Sequence, residues 1–69
     1  MMTLEMILDY FGQGYAVYFG SYYGDDLMET AEEIREVWED TEDDEWLYIE
    51  SVDVDAEARE IRVFIGNDE

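Results

Sequence analysis

The sequence predicts a single small α+β domain over residues 1–69, in the order α-β-α-β-β, with a three-stranded, mostly antiparallel sheet and two helices packed on one face. Three observations predict it. At 69 residues the chain is well below the length at which chains split into domains. Two segments place apolar residues at helical spacing, and three others are aromatic or β-branched runs bounded by glycines or acidic turns. The chain is 48% hydrophobic and 16% aromatic, which supplies a core despite a net charge of −18, whereas acidic disordered chains have few aromatics.

Thr3 can cap a first helix in which Leu4, Ile7, Leu8 and Phe11 share a face, and Gly12 with Gly14 stop it. Tyr15 to Tyr22 has the composition of a strand, closed by Gly24. A second helix is expected from Asp25 to Thr41, because Leu27, Ala31, Ile34 and Trp38 fall at spacings of four, three and four, with Asp25 or Asp26 as cap. Opposite that stripe lie Glu29, Glu33, Glu36 and Asp40, flanked by Glu32 and Glu39, with Arg35 the one interruption. An acidic loop, Thr41 to Glu45, leads into a β-hairpin. Its first arm is Trp46–Ile49 with Val52–Val54, its turn Asp55–Ala58, its return Glu60–Ile65. The apolar face of the first arm changes around Glu50 and Ser51, which marks a bulge or burial on both faces. Asn67, Asp68 and Glu69 read as a frayed tail, and the strand order stays open: a right-handed parallel crossover from the first strand to the second, or pairing of the first strand with the third.

Three Lys plus Arg stand against 21 Asp plus Glu, so the chain is repelled by nucleic acid and by anionic membrane faces, and salt should stabilise it. Without Cys, His or Lys it excludes disulfides, thiolate and imidazole metal sites, Ser–His–Asp triads, Schiff bases and P-loop chemistry. Acid–base catalysis by paired carboxylates needs a pocket that raises one pKa, for which this chain has little room. Neither Asp40–Glu45 nor Asp53–Glu57 has the glycine and terminal glutamate of an EF-hand loop. The expectation is therefore a non-enzyme with no metal and no cofactor. With no basic stretch before an apolar N-terminal region and no run of ~18 apolar residues, neither a signal peptide nor a membrane span is expected, and the expected compartment is the cytoplasm.

Twelve of the 21 acids lie between residues 25 and 45: Asp25, Asp26, Glu29, Glu32, Glu33, Glu36, Glu39, Asp40, Glu42, Asp43, Asp44 and Glu45. A helix of about that length spans roughly 20 to 30 Å, a charge density approaching that of a nucleic-acid backbone. Carboxylates held on a rigid helix suit the Lys and Arg sites of a DNA- or RNA-binding groove, where released counterions supply affinity. Tyr22 and Tyr23 are candidate aromatic contacts beside them. Like charges at i,i+4, such as Glu29 with Glu33, each cost a few tenths of a kcal/mol, so a function or a habitat maintains them. The rival readings are a salt-adapted domain and an acidic adaptor or chaperone for a basic protein. Against salt adaptation, residues 1 to 24 hold only Glu5 and Asp9 as acids. Arg35, Arg59 and Arg62 are expected to pair with neighbouring acids, Asp53, Glu57 and Glu60 being within reach of the hairpin arginines. A homodimer through a sheet edge or the aromatic strand would lengthen the acidic surface.

A short, acidic, aromatic-rich single domain resembles the phage- and plasmid-encoded DNA-mimic inhibitors: anti-CRISPR proteins, antirestriction proteins and uracil-DNA glycosylase inhibitors. The segment Tyr18-Phe19-Gly20-Ser21-Tyr22-Tyr23-Gly24-Asp25-Asp26-Leu27, with the acidic helix and Glu45-Trp46-Leu47-Tyr48-Ile49 after it, is similar to the aromatic-glycine segment of plasmid antirestriction proteins over less than half the chain. The resemblance implies an inhibitor of a host-defence complex, a CRISPR effector or a restriction enzyme, held through its basic nucleic-acid groove. Anti-CRISPR function is favoured, because single domains of this length are common there, with antirestriction next.

Overall fold

The computed structural model describes residues 2–22 and 24–68. Six elements follow in order: α1 (Leu4–Gly12), β1 (Ala16–Ser21), β2 (Gly24–Met28), α2 (Ala31–Asp43), β3 (Leu47–Asp55) and β4 (Glu60–Asn67). The class is the expected small α+β domain with two helices, but the sheet has four strands rather than three.

α1 begins as expected at Thr3, whose hydroxyl accepts the Met6 N–H at 3.3 Å, and it ends ahead of Gly14, whose φ of 98° suits glycine alone. Ile7 is fully buried, and Leu4, Leu8 and Phe11 pack around it.

The expected helix start at Asp25 is corrected. Gly24–Met28 pairs antiparallel with β1, Ser21 opposite Gly24 and Val17 opposite Met28, and Gly24 at φ 134° permits the reversal. Asp25, Asp26 and Leu27 therefore lie on an edge strand; Leu27 and Ala31 are exposed, and Met28 takes the core position. α2 starts where a reciprocal cap forms. Thr30 Oγ1 accepts the Glu33 N–H at 3.1 Å, while Glu33 Oε2 accepts the Glu29 N–H at 3.2 Å. At its far end the helix runs past Thr41, its expected end, to take in Glu42 and Asp43 of the expected loop. Ile34, Trp38 and Thr41 are its buried residues, and the Thr41 hydroxyl donates to the Val37 carbonyl at 2.9 Å.

The hairpin of β3 and β4 forms with its turn at the expected place. Asp55 Oδ1 accepts the N–H groups of Glu57 and Ala58, each at 3.1 Å. A register shift between Ile49 and Ser51 makes Glu50 the bulged residue. Asn67 is not frayed but pairs with Leu47, and the Asp68 N–H donates to the Trp46 carbonyl at 2.7 Å. Glu69 lies outside the described residues.

The strand order is β2-β1-β4-β3, with β1 and β4 parallel at the centre and antiparallel pairs on either side. The aromatic strand β1 is thus interior, and the free edges of the sheet are β2 and β3. Acidic residues and the bulge blunt both. The two-residue period of the strands sorts side chains onto two faces. Val17, Phe19, Met28, Ile61 and Val63 meet Ile7, Ile34 and Trp38 of the helices in the core. Tyr18, Leu27, Arg62, Phe64 and Tyr48 fall on the opposite, open face. Among the described residues no helix is long and apolar enough to cross a membrane.

Candidate functional site

Burial of Ile34, Trp38 and Thr41 fixes the rotation of α2 on the sheet. Helical geometry then puts Glu32, Glu36, Glu39 and Asp43, at i, i+4, i+7 and i+11, on the outward ridge. Glu33 and Asp40 run along one flank, Arg35 and Glu42 along the other. This differs from the expected ridge of Glu29, Glu33, Glu36 and Asp40: Glu29 precedes the helix, and Glu33 is half-buried and spent on the cap. The 13 residues of α2 span about 20 Å. Their seven carboxylates give about one charge per 3 Å, near the ~3.4 Å charge spacing of one DNA strand.

None of the α2 carboxylates forms a salt bridge among the described residues. Among the described residues the salt bridges are those of Arg62, to Asp25 and, at 3.9 Å, to Glu60. Arg35 and Arg59 join none, so the expected pairing of all three arginines holds for Arg62 alone. Besides Glu33 in the cap, two acids bond to neutral groups: Glu42 Oε1 accepts the Trp38 indole N–H at 2.9 Å, and Asp44 Oδ1 accepts the Trp46 N–H at 2.7 Å. Apart from half-buried Glu33, all of Glu29 to Glu45 in the predicted set are exposed, so Glu29, Glu32, Glu33, Glu36, Glu39, Asp40, Glu42, Asp43, Asp44 and Glu45 form one continuous acidic band along the helix and its following loop.

The remaining predicted residues are elsewhere. Asp26 is exposed on β2, Asp25 reaches the open face, and Tyr22, 96% exposed, lines a cleft on that face. Tyr23 lies outside the described residues.

The open face holds chemistry that the sequence reading overlooked. The Arg62 guanidinium carbon sits 5.0 Å from the centre of the Tyr18 ring while the same group pairs with Asp25. One step further along the strands, Gly20 and Gly66 are both buried beneath side chains. A Cβ at Gly66 would meet Tyr48 at 2.6 Å from Cε2 and 2.7 Å from Oη, so the ring lies directly on bare backbone. Strand-interior glycines two residues from an aromatic or paired across from one were the available signal, since glycine in a strand often marks close approach of another group.

No family model, curated protein or solved structure matches this chain. The chemistry of the acidic band follows from its shape. Its side chains fan outward from a helix instead of converging, and among the described residues no group of three or more acids is placed to hold a metal ion. Such a surface suits many separate contacts to spaced cations.

Proposed function

We propose that the protein is a nucleic-acid-mimicking inhibitor, which acts in the cytoplasm by occupying the Lys- and Arg-lined groove of a host-defence complex, anti-CRISPR first and antirestriction next. The observation that carries the reading is the set of carboxylates on α2, which form no salt bridge among the described residues and whose density along the axis is near that of the phosphates of one DNA strand. Inhibition is by exclusion, without catalysis: the partner's cations exchange bound counterions for fixed carboxylates, as they do for DNA. The test is capture of CRISPR and restriction complexes on the immobilised protein, eluted in parallel with duplex DNA, with RNA and with buffer. Release by nucleic acid, and loss of capture in a folded E32K/E36K/E39K/D43K variant, is the expected outcome. Retention of the same partner by that variant sinks the proposal.

A second reading, salt adaptation, is favoured by one observation: Asp53, Asp55 and Glu57 are exposed on the β3–β4 hairpin, away from α2. It predicts unfolding in dilute buffer and recovery only at molar salt, measured by circular dichroism.

A further inference from the structure

We propose that the open face of the sheet carries an arginine-binding trough, formed by Tyr48, Phe64 and Tyr22 around the backbone of Gly66 and beside the Asp25-covered Gly20, with Glu50 at its rim. The inference rests on the reading that the partner is a basic protein, and names the side chain this second face takes from it.

Register places these groups together. Gly20 pairs with Phe64 across the parallel seam, and Tyr48 pairs with Gly66. Lacking a side chain, Gly66 leaves room for the Tyr48 ring to lie over its backbone, whereas the Asp25 carboxylate covers Gly20 and Phe64 Cδ1 comes to 3.6 Å from the Gly20 Cβ position. The upper surface of Tyr48 stays open, since 48% of the residue is exposed. Glu50 enters from β3 because the bulge removes it from the regular alternation.

The neighbouring site shows which ligand suits such a surface. Tyr18 and Arg62, each two residues before Gly20 and Phe64, combine an aromatic ring, a guanidinium and the carboxylate of Asp25. A displacement of two residues is about 7 Å along a strand. The trough repeats the ring and the carboxylate, and among the described residues no Lys or Arg lines it. A guanidinium supplied from outside can stack on Tyr48 or Phe64 and bond to Glu50 at once. The planar, weakly hydrated arginine head does this better than the compact ammonium of lysine. The net charge of −18 attracts cations everywhere, so selectivity for arginine is what separates the trough from general attraction.

The test is a titration of the full chain with acetyl-Arg-Arg-amide, acetyl-Lys-Lys-amide and the neutral citrulline peptide at constant ionic strength, followed by amide chemical shifts. Saturating shifts at Gly20, Phe64, Gly66 and Asn67 are expected with arginine, about threefold weaker with lysine and absent with citrulline. Tyr22→Ala and Glu50→Gln, both at exposed positions, should each weaken arginine binding about threefold in protein that circular dichroism shows to be folded. Shifts confined to α2, equal response to lysine, or indifference to both variants would overturn the inference. Because E32K/E36K/E39K/D43K leaves the trough intact, arginine binding that persists in it while capture by the partner is lost upholds both readings. Loss of capture there with no arginine-selective shifts rejects the trough and leaves mimicry standing.

Discussion

Gly66→Ala probes the packing of the open face, because its effect changes sign with the residue opposite. A methyl group at this position cannot coexist with the Tyr48 ring, which must swing off the strand. Overpacking of this kind costs about 1–3 kcal/mol, while alanine regains roughly 0.5–1 kcal/mol over glycine in a strand interior. The net loss is about 1 kcal/mol, within a range of about 0 to 2.5, and each kcal/mol lowers Tm by roughly 4–8 °C in a domain of this size. In a Tyr48→Ala background the obstruction is gone, so the same substitution gains roughly 0.5–1 kcal/mol. The interaction energy of the cycle is then about 2 kcal/mol. Urea denaturation of the four proteins at one salt concentration, followed by far-ultraviolet circular dichroism, measures every corner. An equal cost of Gly66→Ala in both backgrounds would refute the packing argument.

Two further outcomes follow from charge and capping. Raising NaCl from about 20 mM to 500 mM shortens the Debye length from roughly 20 Å to under 5 Å, so self-repulsion among the acids of α2 fades and Tm rises by several degrees; a scanning calorimetry trace with constant Tm would contradict an uncompensated band. Thr30→Ala should cost about 1 kcal/mol and Thr30→Ser close to nothing, with Asp25→Ala and Asp26→Ala leaving the α2 helical signal intact; chemical denaturation of the set decides which residue starts the helix.

How far the sequence could be read is a matter of which signals compete. The first helix was legible because Thr3, an apolar stripe and two glycines agree. The hairpin was legible because Asp55 and the alternating Ile61, Val63 and Ile65 agree, and even its bulge showed as a break in the pattern at Glu50. The strand β2 was hidden because Leu27 happens to stand four residues before Ala31, extending the α2 stripe backwards into residues that pair with β1. The Thr30-x-x-Glu33 cap was present in the sequence and marked the true start. That error also turns the acidic ridge, since the expected register gives Glu29, Glu33 and Asp40 the outward positions that belong to Glu32, Glu39 and Asp43. The open face escaped notice for a different reason: Arg62, Asp25 and Tyr18 come from three strands, and only the strand order brings them together.

The parallel seam of β1 and β4 sets the timing of folding. Val17 meets Ile61 and Phe19 meets Val63 across most of the chain's length, so the sheet's centre closes only after the last strand has been synthesised. Such distant pairing slows folding relative to the small size of the domain. Until then Ala16–Ser21, aromatic and without charge, presents a bare edge of the kind that joins other chains. The carboxylates that crowd the middle of the sequence are already made at that stage. They keep nascent molecules apart through mutual repulsion, so the same charge that strains the finished helix guards the unfinished sheet.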